Sequence, residues 1–97
     1  MTQQTTDPDF LKRVDDHIAL SNEHIKGANG ARVAMSGTFA AARFTAWMCA
    51  NSDGSGERMK ARREEAVRIF TDEFRRMFEE SFDDFANNFE RYRPDQA

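Results

Sequence analysis

Apolar side chains recur along this chain at three- and four-residue intervals, the mark of helices that turn one face away from water. The first run is Phe10, Val14, Ile18, Ser21 and Ile25, a narrow stripe in a polar segment. Asp7-Pro8-Asp9 precedes it. Asp7 can accept from free backbone N–H groups, proline suits a first helical position, and Asp9 favours the positive end of the helix dipole. Gly27, Asn29 and Gly30 then supply open or left-handed backbone. A first helix is predicted over residues 8–26.

The second run has no polar face. Between Val33 and Ala50 the only charged residue is Arg43. At 100° per residue, Val33, Gly37, Ala40, Ala41, Phe44, Trp47 and Met48 fall on one side, and Met35, Phe39, Ala42, Ala46 and Cys49 on the other. About 20 apolar residues can span a bilayer, but Arg43 at mid-span, Ser36, Thr38, Thr45 and the lack of flanking anchors oppose that. The pattern predicts a buried central helix over 32–50, with Phe44 and Trp47 as its core anchors.

Asn51-Ser52-Asp53-Gly54-Ser55-Gly56 reads as a loop. A long helical tract follows, with Met59, Val67, Phe70, Phe74, Met77, Phe78, Phe82, Phe85, Phe89 and Tyr92 as its apolar positions. Lys60, Glu64, Arg68, Asp72, Arg76 and Glu80 form a ladder of alternating sign at four-residue steps, each rung worth a few tenths of a kcal/mol, or about 0.2–0.5. Like charges meet at Glu80 and Asp84, and Ser81-Phe82-Asp83-Asp84 resembles a fresh helix start. The tract is therefore divided into a third helix over 57–80 and a short fourth over 82–92, stopped by Pro94. The expected fold is all-α: a small bundle of three main helices and a short C-terminal one. It forms one domain over residues 1–97, frayed at 1–6 and 94–97.

Composition changes this picture in one respect. Leu, Ile and Val total only eight residues, whereas Phe alone contributes nine of the 97. Any core must therefore be built from Phe, Met and Ala. The net charge of −3 falls in the second half, since residues 1–50 carry five basic and five acidic groups. A mildly acidic chain lacks the phosphate-attracting field of a general nucleic-acid binder. The lone cysteine, Cys49, has no internal disulfide partner, which fits a reducing compartment. The polar segment Met1–Thr6 has no apolar signal core. The expectation is a cytoplasmic protein.

Candidate chemistry is thin. His17 and His24 share a flank of the first helix but stand about 10 Å apart along its axis, too far to grip one ion. No carboxylate lies three or four residues from either in the pattern of di-iron bundles. The acidic doublets, such as Asp15-Asp16 and Glu79-Glu80, diverge by 100° and do not converge on one substrate atom. No catalytic, cofactor-binding or metal-ligating residues are assigned, and no cofactor is expected. Arg58, Lys60, Arg62 and Arg63 form a basic cluster, largely offset by Glu57, Glu64 and Glu65.

Two stretches carry a family likeness. One is Ile18-Ala19-Leu20-Ser21-Asn22-Glu23 followed by Ala41-Ala42-Arg43-Phe44-Thr45-Ala46-Trp47; the other is Phe70 through Tyr92, ending Asp83-Asp84-Phe85-Ala86-Asn87-Asn88-Phe89-Glu90-Arg91-Tyr92. From about Phe10 to Tyr92 the chain resembles the small proteobacterial family catalogued as domain of unknown function 3144. The resemblance implies a bacterial, helical, stand-alone protein and carries over no activity, ligand or catalytic residue.

The two-sided second helix and the Phe-rich tract leave more apolar surface than one short bundle can cover. A non-enzymatic interaction protein that pairs with itself, or with another protein, is therefore expected, with no membrane association. The surface expected to carry it is Met35, Phe39, Phe78, Phe82 and Phe89. The alternatives are a ligand-binding or enzymatic helical domain, with a pocket near Arg43, Trp47, His17 and His24, and nucleic-acid association through Arg58–Arg63.

Overall fold

The computed structural model describes residues 7–92, and all four of its elements are α-helices. They are α1 (Phe10–His24), α2 (Gly30–Asp53), α3 (Gly56–Asn87) and α4 (Phe89–Tyr92). The expected frayed ends, 1–6 and 94–97, and the stop at Pro94 lie outside the described residues. Two compact units are distinguished, one up to Asn51 and one from Ser52. The division falls in the last turn of α2.

The first unit holds α1 and most of α2. Before α1 the Asp9 amide donates to the Asp7 carboxylate, 3.2 Å away, and the Phe10 amide to the Asp7 carbonyl. The same carboxylate pairs with Arg13. Asp7 thus organises the turn at residues 7–9, and the helix proper begins two residues later than expected. The end of α2 that follows the glycine turn is capped by Asn29, whose side chain accepts from the Arg32 amide at 2.8 Å. Within α2, Ser36 and Thr38 return their hydroxyls to the carbonyls of Val33 and Ala34, so neither leaves a polar group wanting a partner.

The expectation of a buried α2 is overturned. Phe44 is 63% exposed and Trp47 58%. Among the described residues only Val33, at 7%, is buried. The physical reason is coverage. Helix α1 has 15 residues against the 24 of α2, about 22 Å against 36 Å of axis. The α1 stripe is itself thin: Phe10 and Ser21 are half-buried, while Ile18 and Ile25 remain exposed. No described helix is long and apolar enough to cross a membrane.

The second unit begins with a tight link. Gly54 takes φ +83°, a left-handed conformation that costs little only for glycine. Ser55, in extended backbone, accepts from the Arg58 amide at 3.2 Å and caps α3. Two basic side chains fold back over this link. Arg62 Nε donates to Asp53 Oδ1 at 3.0 Å, and Arg58 Nη1 reaches the Asp53 carbonyl at 3.5 Å.

The break expected at Ser81 is not there. Helix α3 runs unbroken for 32 residues to Asn87, and the interruption falls at Asn88. Across Ser81 the ring contacts continue, Phe74 to Phe78 to Phe82, at centroid separations of 6.0 and 5.8 Å. The Asp84 carboxylate engages groups downstream of it, Asn88 and Tyr92. Asn88 ends the helix: its backbone amide and its Nδ2 both donate to the Asp84 carbonyl, and Nδ2 also reaches Asp84 Oδ1. The third helix is therefore longer than 57–80, and the fourth shrinks to a single turn.

Candidate interaction surface

On α3 the half-buried residues Met59, Arg62, Ala66 and Phe70 form one stripe. The exposed apolar residues Val67, Phe74, Phe78, Phe82 and Phe85 form another. At 100° per residue the centres of the two stripes lie roughly a third of a turn apart. The second stripe is therefore a distinct ridge. Its rings touch in series: Phe74 and Phe78 are nearly parallel, at 6°, whereas Phe82 is tilted 55° from Phe78. Phe82, at the centre of the distal half, is 62% exposed.

Ion-paired polar groups occupy the side of α3 turned away from the ridge. Arg76 pairs with Glu73 and, at 3.5 Å, with Glu80. The hydrogen bond and the charge of Glu73, with a smaller contribution from Glu80, raise the guanidinium above its already high ordinary value. Of the alternating ladder, Arg76–Glu80 is the only rung within ion-pair distance among the described residues. Beyond the ridge, Tyr92 packs on Phe85 with ring centroids 4.6 Å apart, and its hydroxyl donates to Asp84 at 2.8 Å. That bond and the negative charge of Asp84 raise the phenol above its ordinary value.

Of the residues expected to form an interface, Phe78 and Phe82 are brought together here. Phe89 opens α4 and is exposed, but it lies past the end of α3. Met35 and Phe39 stand one turn apart on α2, both exposed. Phe74 and Phe85 belong with Phe78 and Phe82; their three- and four-residue spacing was the signal for them. The Asp84–Asn88–Tyr92 cluster had no such signal, because it depends on where the helix stops.

The other candidates are more scattered. His17, His24 and Arg43 are exposed, and Cys49 is half-buried. Trp47 packs on its own helix neighbour Phe44, at 5.9 Å. Of the basic cluster, Arg58 and Arg62 turn toward Asp53, while Lys60 and Arg63 are exposed. Among the described residues no three His, Cys, Asp or Glu side chains gather into a metal-holding group.

No curated protein and no solved structure matches this chain. A family model does, over residues 10–86. That span runs from the first residue of α1 to the last turn of α3 and takes in the whole aromatic ridge. The chain belongs to the family described as Protein of unknown function (DUF3144).

Proposed function

We propose that this chain is a non-enzymatic interaction protein of the cytosol that associates with itself. The observation that carries the reading is the run of touching, exposed rings Phe74, Phe78 and Phe82 on α3. Contiguous apolar surface costs about 25 cal/mol for every Å² left in water, and large exposed patches mark places where another surface docks. Met35 and Phe39 add a second exposed apolar site on α2. Both are surfaces rather than clefts, and neither gathers acid, base or nucleophile around a common point.

The test is molar mass in solution, measured by light scattering across a dilution series from hundreds of micromolar to a few. Self-association predicts a mass approaching twice 11.2 kDa at the concentrated end. A constant 11.2 kDa throughout would refute it.

A further inference from the structure

We propose that the aromatic ridge of α3 packs on the same ridge of a second copy, with the two helices antiparallel about a two-fold axis at Phe78. The inference rests on the self-association reading and adds to it a surface, a direction and a register.

The surface follows from what is left open. The stripe Met59, Arg62, Ala66 and Phe70 is already half-buried. The ridge Val67, Phe74, Phe78, Phe82 and Phe85, with Met77 beside it, is exposed. A large aromatic side chain offers 150–250 Å² for burial, so a half-exposed ring leaves roughly 100 Å². The six residues together present roughly 500 Å², and two copies roughly 1,000 Å². With flanking side chains this reaches the lower end, about 1,200 Å², of stable interfaces.

Symmetry supplies the register. A two-fold pairing sets each residue against the one equally far beyond the axis. With the axis at Phe78, Phe74 meets the partner's Phe82, and Phe78 meets its own copy. Thr71, a small ridge residue, then faces the partner's Phe85. Small against large is the arrangement that fills space between facing helices.

Charge supplies the direction. Arg75 and Glu79 lie on one flank of the ridge, and neither has an ion-pair partner among the described residues. In an antiparallel pair a flank faces the same flank of the partner. Arg75 then stands within a turn of the partner's Glu79, twice by symmetry. In a parallel pair that flank faces Met77 and Ser81 of the other copy, which offer no charge, and the acidic residue further along it, Asp84, stands nine residues beyond Arg75 and is engaged by Asn88 and Tyr92.

Spin labels decide the arrangement. In a Cys49→Ser background, Glu64→Cys carries one label at the proximal end of the ridge face, a turn before Val67, and Asp83→Cys carries one label off it. Glu64 is fourteen residues from the axis and Asp83 five. At 1.5 Å per residue the antiparallel pair separates the two labels along the axis by about 42 Å at position 64 and about 15 Å at position 83. A parallel pair gives no axial offset at either site. A dimer whose two distances are alike overturns the arrangement and leaves self-association standing. A monomer at every concentration overturns both. Phe78→Glu provides the independent check. It should keep its helical circular dichroism, since Phe78 is exposed, and should shift the mass to the monomer. An undiminished dimer with Phe78→Glu overturns the proposal.

Discussion

The phenol of Tyr92 donates a 2.8 Å hydrogen bond to the carboxylate of Asp84, eight residues earlier. It spans the one interruption between α3 and α4, and the Tyr92 ring meanwhile rests on Phe85. The bond needs the neutral phenol, because a phenolate would face a carboxylate. The folded phenol is therefore raised above its ordinary value. The stabilisation is fully present below the unfolded value, about pH 10, and is lost as pH climbs through the folded one. Tyr92 is the only tyrosine, so phenolate absorbance reads this group alone. The titration midpoint should lie above that of free tyrosine, and Asp84→Asn should bring it back down. An unchanged midpoint in Asp84→Asn would show that the bond does not form in solution.

Two glycines predict effects of opposite sign. At Gly54, with φ +83°, an added Cβ meets nothing closer than 3.9 Å. The cost of Gly54→Ala is then backbone strain alone, about 1–2 kcal/mol. Gly37 lies inside α2 with open space around its Cβ position. Gly37→Ala should stabilise by about 0.5–1 kcal/mol through helix propensity. Urea melts followed by circular dichroism measure both. Equal signs would contradict the backbone geometry.

The Asp53–Arg62 pair sits at the entry to α3, with the carboxylate only 10% exposed and the guanidinium 40%. A pair this open falls between surface bridges and buried ones, so Asp53→Asn should cost about 1 kcal/mol. A double-mutant cycle with Arg62→Gln should return a coupling of similar size, shrinking as salt is added. Additive effects would place the side chains out of contact in solution.

Trp47 is the sole tryptophan and is more than half exposed. Iodide should quench its fluorescence readily in the dilute protein. Trp47→Ala should cost far less than the 3–5 kcal/mol of a core aromatic, within about 1 kcal/mol. A melt lowered by the full core penalty would restore Trp47 to an interior.

Helix starts were legible because they are local. Asp7, whose acceptor role the sequence disclosed, accepts from a backbone amide two residues on, and Asn29 and Ser55, read only as turn and loop residues, each accept from one three residues on. The false start at Ser81 shows where that logic fails. Ser81 precedes acidic residues as a cap would, yet the rings of Phe78 and Phe82 meet across it, and the helix hydrogen bonds around it need no cap. The true stop, Asn88, depends on Asp84 reaching forward to both Asn88 and Tyr92. Burial was not legible at all. The periodicity of α2 reveals which faces seek cover, while Phe44 and Trp47 show that the described chain does not cover them.

With Val33 the one buried side chain among the described residues, the chain has little concealed surface to release when it unfolds. The denaturant dependence of stability and the heat capacity of unfolding both scale with newly hydrated area. The isolated chain should therefore melt broadly, with a shallow urea slope and a heat capacity increment below the usual 12–15 cal/mol/K per residue or thereabouts. Its folded population should change only gradually with temperature, and any agent that covers the α3 ridge should sharpen the transition as well as raise its midpoint.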